Sequence, residues 1–435
     1  MSTTWSQRVS QRYQVQLPRD LAAWLDEARW QLPGGGEFNH PLSPEQLLEP
    51  EPGLIWPGFM LPDTLPLLGN DYGDWLCLRV GADNGVREWL YWSHAGGDWI
   101  PSGDTLAESL LYDALRAGEG ERHPGAGPTA IFPGGAHHPA PQPAVGWQTH
   151  VAWCAAQLSF PATRLQALSS AVDQSWRDGL RAAGLARWAL ARETLLQQLH
   201  CGLRGRSDYR VAQQLGVAWE PDFVMWMFDT QLIPQERRGQ LLKHFGTDAE
   251  SLLRQDWEGA EQAALEVLGA RSDLGWAHDI AGWAAERRGA VEVAIERYLV
   301  GLRPSLFADH TVPFRTHWVA DGFGKFAAAR LFEWRAQVPA EAARDPYLQQ
   351  YWWHDPQTLR DRISGFWHER ARQAERSGQF AAAYDLYYQA GWDLGLDQLT
   401  AYAPILEGLE RTAEAAGMPA RARLAALHRG QLRVV

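Results

Sequence analysis

The chain has 435 residues and a formal net charge of −12 at pH 7, and this length predicts two or three domains with cores of their own. Residues 1–116 hold 16 Asp and Glu against 7 Arg, so the acidic character belongs mainly to the first part of the chain. Such a charge repels phosphate backbones, argues against nucleic-acid binding and favours a basic partner, although surface carboxylates also serve simply to keep a domain soluble.

Neither membrane insertion nor secretion is expected. The most apolar run, residues 223–228, has six residues, whereas a membrane-spanning helix needs ~20. Residues 1–16 are polar and lack the regions of a secretory signal, so we expect a cytoplasmic protein. Cys77, Cys154 and Cys201 have no zinc-ligand spacing, and each is predicted to be a buried apolar residue.

Two helices and an acidic loop are predicted before residue 75. Apolar residues recur at helical spacing over residues 17–31, ahead of a stop signal at 33–36. A short helix should begin at Pro44, since Ser43 is a suitable N-cap. Residues 54–56 are predicted to form a strand. The acidic loop, residues 70–74, lacks the alternating ligands of a calcium loop, so we expect neither metal binding nor catalysis there.

A β-hairpin is the strongest local signal in the chain. Residues 75–80 form a continuous apolar run typical of a buried strand, and residues 88–92 form a second strand. The Asn-Gly pair at 84–85 supplies the positive φ angles of a tight turn, so the two strands should pair antiparallel. A short strand at 98–101 and a helix over 105–115 are predicted to follow.

Residues 15–116 carry an ordered set of motifs. A Leu-Pro opens the first helix, and a glycine triplet follows that helix. The later motifs are an Asn-Asp-Tyr-Gly-Asp-Trp entry at 70–75, a Gly-containing hairpin, a Tyr-Trp-Ser-His exit at 91–94, an aromatic residue at Trp99 and a closing helix. This order resembles the SUKH superfamily, the domain shared by yeast Smi/Knr cell-wall regulators and many bacterial proteins.

The resemblance implies an α+β binding domain that acts on a partner and not on a substrate. The family is represented among immunity proteins, which occlude secreted toxins, so the expected partner is a protein, with a basic toxin as one candidate. The candidate partner-binding residues are Asp71, Tyr72, Asp74, Trp92, His94 and Trp99. Each has an alternative role, since the tryptophans are equally suited to the core and the aspartates to capping turns.

The remainder of the chain is predicted to be helical. Residues 117–147 are rich in glycine and proline and indicate a linker, with three histidines that are not expected to form a functional metal site. Helical patterns fill 148–246 without a repeat. Within 247–435, residues 277–302 and 369–395 share small residues and a tyrosine at the same offsets, and 409–430 is a weaker copy. These copies resemble tetratricopeptide repeats and predict helix–helix turns at Gly289, Gly378 and Gly417.

Known catalytic motifs are absent from the sequence. It contains no nucleophile elbow, P-loop, zinc-protease or dinucleotide-binding motif. The leading hypothesis is therefore a non-catalytic, SUKH-like binding protein without cofactor or metal. An alternative is a scaffold or assembly adaptor whose helical repeats hold the partner. A weaker alternative is an enzyme that uses histidines next to carboxylates in the helical half: His310, His317, His354 and His368.

Overall fold

The structure, a computed structural model, describes residues 3–32, 36–49, 55, 60–92, 99–120, 147–159, 261–262, 264–265, 268–269, 272, 275–303, 326–352, 358–390 and 399–432. These residues form two compact units. The first contains the described residues before 160 together with those from Ser364 onward, and the second contains those from 261 to Ile363. The predicted strand at 54–56, the linker at 117–147 and the helical region at 148–246 lie largely outside the described residues.

One antiparallel sheet of five strands organises the N-terminal part, and the strands lie side by side in chain order. Its strands are β1 (His40–Pro41), β2 (Thr64–Gly69), β3 (Trp75–Val80), β4 (Val86–Trp92) and β5 (Trp99–Gly103). The helices of this part are α1 (Trp5–Tyr13), α2 (Arg19–Asp26), α3 (Pro44–Leu47), α4 (Leu106–Gly120) and α5 (Trp147–Gln157).

The rest of the described chain is helical. The second unit contains α6 (Gly275–Arg287), α7 (Val291–Gly301), α8 (Phe326–Glu333), α9 (Ala340–Ala343) and α10 (Pro346–Trp352). The chain continues with α11 (Leu359–Arg376), α12 (Phe380–Ala390), α13 (Leu399–Ala415) and α14 (Pro419–Gln431). An α+β N-terminal part followed by a helical C-terminal region is thereby confirmed. Among the described helices, none has the length and apolar character needed to cross a membrane.

The predicted hairpin is confirmed. Strands β3 and β4 pair antiparallel, with Cys77 opposite Leu90. The turn between them places Asn84 at φ 64°, a left-handed conformation that asparagine tolerates better than most residues. All six residues of β2 and five of the six in β3 are buried, so both faces of these strands are covered. Burial on both faces explains why β3 reads as a continuous apolar run without alternation.

Strand β2 was not predicted, because Pro66 interrupts its apolar sequence. Proline cannot donate a ladder hydrogen bond, and here the pairing of β2 with β3 shifts register between Pro66 and Leu68. Strand β1 pairs with only the last two residues of β2, so no described strand lies beside Pro66 on that side. The irregular register accommodates the proline within an otherwise continuous sheet.

Side-chain caps mark the beginnings of α1 and α3, whereas α2 follows Pro18 without a side-chain cap. The predicted start at Pro44 is confirmed, and Ser43 forms a capping box with Gln46. The predicted helix over 17–31 is shorter, since α2 ends at Asp26 and the left-handed Ala28 leads into a 3-10 turn at Arg29–Gln31. Helix α1 was missed because its apolar residues are sparse.

Three helix–helix turns in the C-terminal region share one geometry. The predicted turn glycines Gly289, Gly378 and Gly417 all lie between helices, with φ between 73° and 79°. In each turn the glycine N–H donates three residues back and the following N–H donates five residues back. Positive φ and this hydrogen-bond pair define a glycine C-cap, so all three hairpins turn in the same way.

Two of these hairpins also share a set of polar contacts among a tyrosine, a glutamate and an arginine. In the second unit the Tyr298 hydroxyl lies 2.9 Å from a Glu286 carboxylate oxygen, which also pairs with Arg330 of the next helix. In the first unit Tyr387 lies 3.0 Å from Glu375, which pairs with Arg411. The repeat of residue types therefore corresponds to a repeat of contacts.

Helix α14 docks on the hairpin turn of the sheet within the first unit. Asn84 Oδ1 accepts from the Ala420 N–H at 3.1 Å and so caps the beginning of α14. The Arg421 Nε donates to the carbonyl of Val80 at 3.1 Å. The C-terminal helices thus belong structurally with the N-terminal sheet.

Replacing Asn84 by glycine isolates this cap, because glycine adopts φ 64° readily but offers no side-chain acceptor. We expect the free energy of unfolding, measured by urea titration, to fall by about 1 kcal/mol. Asn84→Asp keeps an acceptor oxygen and places a negative charge at a helix N-terminus, so its stability should stay within about 0.5 kcal/mol of the parent chain. Equal losses in the two variants would contradict the capping role.

Candidate functional site

The acidic loop is a tight, internally bonded turn between β2 and β3. The Asn70 side-chain oxygen accepts from the N–H groups of Tyr72 and Asp74 at 3.0 and 2.8 Å. The Asn70 N–H donates to the Asp74 carbonyl, and Gly73 has φ 88°. Asparagine and glycine supply this geometry directly from the sequence. The loop is therefore held in one conformation by its own residues.

Asp74 and Trp92 point into the protein. Asp74 is 6% exposed, and its carboxylate accepts from the Tyr91 hydroxyl at 2.7 Å and from the Asn70 amide at 3.3 Å. Trp92 is 3% exposed and lies opposite Trp75 in the sheet. Both side chains are therefore buried, Asp74 as an acceptor for other side chains of the protein and Trp92 as a core residue.

The other candidates differ in what the structure describes. Trp99 opens β5 opposite Trp92, but its side chain lies outside the described residues, as does the whole of His94. Asp71 is exposed, and its carboxylate lies 2.6 Å from the His40 Nε2. Tyr72 is 41% exposed, one of the few large exposed apolar side chains among the described residues.

Negative charge surrounds the Tyr72 side chain. Partial burial raises the pKa of the Tyr72 hydroxyl, and the carboxylates of Glu37, Asp71 and Asp74 raise it further. Glu37 reaches the loop by accepting from the Asn70 amide at 2.9 Å. We call Glu37, His40, Asp71 and Tyr72 the Tyr72 patch.

Two members of the Tyr72 patch, Glu37 and His40, were not among the residues predicted from the sequence. They come from a segment about 30 residues before the loop, and no local pattern marks them. The pairing of His40 with Gly69 at the edge of the sheet brings them to the loop. Their position beside the loop depends on the register between β1 and β2, and neither of these strands was predicted from the sequence.

A second polar cluster lies buried between the sheet and the C-terminal helices of the first unit. Arg79 donates to Asp63 and to Glu88, both at 3.0 Å, and to the Tyr388 hydroxyl at 3.1 Å. That hydroxyl lies 3.2 Å from the second oxygen of Asp63, and the Arg421 guanidinium lies 3.9 Å from Asp63. We call these five residues the Arg79 network.

The Arg79 network pairs two guanidinium groups with two carboxylates. The Arg79, Asp63 and Glu88 side chains are 8%, 1% and 4% exposed. Burial alone would lower the pKa of Arg79, but Asp63, Tyr388 and Glu88 outweigh it and raise that pKa well above its ordinary value. A permanently charged arginine with both carboxylates engaged suits a structural role that fixes how the helices dock.

Groups suited to catalysis are sparse in the described part. Of the four histidines singled out above, only His368 is described, and its ring packs edge-on against Tyr387 at 5.3 Å. Within the described residues, no group of three or more His, Cys, Asp and Glu could hold a metal ion. Cys77 and Cys154 are free and buried, and burial raises the pKa of each thiol. In comparisons with known proteins, no family model, no curated protein and no solved structure matches the chain.

Proposed function

We propose that the chain is a non-catalytic binding protein, with a SUKH-like N-terminal domain that recognises a basic protein partner through the Tyr72 patch. The observation that carries the proposal is Tyr72 itself, an exposed aromatic side chain on a loop whose own hydrogen bonds fix its backbone. Aromatic anchors on rigid supports supply much of the affinity of protein interfaces, because little conformational freedom is lost on binding.

Charge defines the chemistry of the proposed partner. Glu37 and Asp71 lie near Tyr72, and the 116 N-terminal residues carry a net negative charge. An arginine or lysine of the partner would lie over the tyrosine ring and pair with these carboxylates. A basic toxin held in this way, with its active surface covered, fits the immunity role that the resemblance implies. Association should be fastest at low salt.

The experiment uses the full chain as bait in lysate of the native organism, at low and moderate salt, followed by purification of any retained basic protein. Tyr72→Ala should weaken binding of that protein roughly 30-fold, the effect of losing an interface anchor of about 2 kcal/mol. Asp71→Asn should lower the association rate and its salt dependence. Both changes should have only a small effect on thermal stability, since the Asp71 side chain is exposed and Tyr72 is 41% exposed.

Two exposed residues of the same unit provide matched controls. Glu45→Gln removes a carboxylate at α3 and Leu32→Ala removes a large exposed apolar side chain, and both variants should bind as the parent does. Unchanged binding by Tyr72→Ala and Asp71→Asn would contradict the proposal.

One observation favours the adaptor alternative. Helix α7 in the second unit exposes Val293 and Val300, which are 39% and 52% exposed and lie two helical turns apart. Apolar side chains at this spacing suit a partner helix or peptide. If the Val293→Ser/Val300→Ser variant fails to retain the protein partner and the Tyr72→Ala variant still retains it, the helical region binds the partner.

A further inference from the structure

His428 occupies an unusual position in helix α14. Its side chain is fully buried in the first unit and faces the backbone of Thr64, where β2 begins, yet neither ring nitrogen meets hydrogen-bond geometry. Buried polar groups in proteins are nearly always hydrogen-bonded. A buried imidazole placed this way is tolerated while neutral and strongly disfavoured once it gains a proton.

The charges around His428 do not provide a free counterion. Asp63 is the charged group that acts on the imidazole, but its carboxylate already accepts from Arg79 at 3.0 Å and lies 3.9 Å from the Arg421 guanidinium on α14. From α12, Asp385 and the ring of Tyr384 lie near Arg421.

Two other charged contacts of α14 involve neighbouring residues of the helix and not His428. Glu410 of α13 pairs with Arg429, and Arg12 of α1 lies near Arg423. Burial lowers the pKa of His428 to about 4, and the Thr64 backbone and Asp63 offset this only in part.

We propose that His428 is a pH-sensitive latch, whose protonation below about pH 6.5 weakens the docking of α14 on the sheet and releases the α13–α14 hairpin. The site of release is defined by two contacts described above, the Asn84 cap on Ala420 and the bond from Arg421 to Val80. Once α14 leaves the sheet, the imidazole is hydrated and holds its proton as an ordinary histidine does.

The direction of the effect follows from linkage. Because the docked state holds His428 at a lower pKa than the released state, docking is fully favoured above pH 6.5 and weakens as the pH falls toward 4. Between pH 7 and pH 5 the released fraction should rise about 20-fold. Asp385 acts in the opposite direction, since burial raises the pKa of its carboxyl and acidification then favours the docked state.

Cys77 offers a reporter of release. It is a free, fully buried thiol. Because Cys77 lies two residues before Arg79 in β3, both side chains are on the same face of the strand. The Arg79 network on that face contacts α12 and α14. Cys154 on α5 is equally buried and reports on unfolding elsewhere in the unit. The two cysteines therefore distinguish local release from general unfolding.

The experiment measures labelling of the full chain by an aromatic disulfide between pH 7.5 and pH 5. One background keeps only Cys77, with serine at positions 154 and 201, and the other keeps only Cys154. Each rate is divided by the rate for the same protein unfolded in urea at the same pH, which removes the intrinsic pH dependence of the thiol. We expect the Cys77 ratio to rise about 20-fold between pH 7 and pH 5 while the Cys154 ratio changes less than twofold.

His428→Leu and His428→Gln should both abolish the rise of the Cys77 ratio between pH 7 and pH 5. Two replacements are used so that the test remains valid if one variant fails to fold. Three results would overturn the latch: no rise of the Cys77 ratio in the parent chain, the same rise in both His428 variants, or an equal rise at Cys77 and Cys154. The last would mean that acid unfolds the whole unit.

Discussion

Arg79→Met is expected to lower the free energy of unfolding of the first unit by about 3–5 kcal/mol. The guanidinium satisfies Asp63, Glu88 and Tyr388 in a site where the two carboxylates are almost fully buried. Methionine matches the length of the side chain but leaves two buried acids without their shared cation. The loss therefore comes from stranded charges and not from lost packing.

Urea unfolding followed by tryptophan fluorescence measures this loss, and two further variants test its cause. Arg87→Met removes a neighbouring arginine that is 45% exposed and 3.9 Å from Glu88, so the change should be below about 0.5 kcal/mol. Adding Glu88→Met to Arg79→Met removes one stranded acid and leaves Asp63 with Arg421, 3.9 Å away, so it should recover part of the stability. A loss below 1 kcal/mol in Arg79→Met alone would show that the network matters little.

Gly408→Ala should destabilise the first unit by about 2 kcal/mol. A Cβ at this position of α13 would lie 2.5–2.6 Å from three atoms of the Tyr387 ring. That ring is 1% exposed, and its hydroxyl is held by Glu375, so it has little room to move aside. The clash should outweigh the usual gain of alanine over glycine within a helix.

A double-mutant cycle isolates this contact. In a Tyr387→Leu background the obstacle is gone, and Gly408→Ala should then stabilise the unit by about 0.5–1 kcal/mol. Gly365→Ala is the matched control within α11, where no described atom beyond the adjacent residues and the local helix backbone lies within 4 Å of the added Cβ, and it should stabilise the parent chain by a similar amount. Destabilisation of the same size in both backgrounds would rule out the ring as its cause.

Features governed by neighbouring residues could be predicted from the sequence. The Asn-Gly turn of the hairpin, the Ser43 cap and the three glycine turns each depend on residues within a few positions of one another. Strand β2 was missed because Pro66 interrupts its apolar residues and because burial on both faces leaves no alternation of period two. Helix α1 was not predicted, because it buries only Val9 and Tyr13 and therefore lacks an apolar stripe, although Thr4 and Gln7 cap its first turn.

The candidate site could be predicted only in part. The acidic loop was recognised, but its aspartates could not be distinguished, because the burial of Asp74 depends on Tyr91 in a neighbouring strand. The C-terminal members of the Arg79 network could not be predicted, since an arginine in a strand gives no sign of a partner hundreds of residues later. The sequence patterns indicate an N-terminal domain and a separate helical region, whereas contacts within the first unit join the N-terminal sheet to the last helices.

The contacts between the sheet and the last helices determine when the sheet can be covered during synthesis. The bonds that hold the sheet to the last helices span 309 to 341 residues of sequence. A ribosome must therefore translate the chain as far as α14 before one face of the sheet receives its cover. Until then, buried strand residues such as Leu90 remain accessible to other nascent chains and to chaperones. Contacts this distant also make folding slow, since long loops must close before any of them can form.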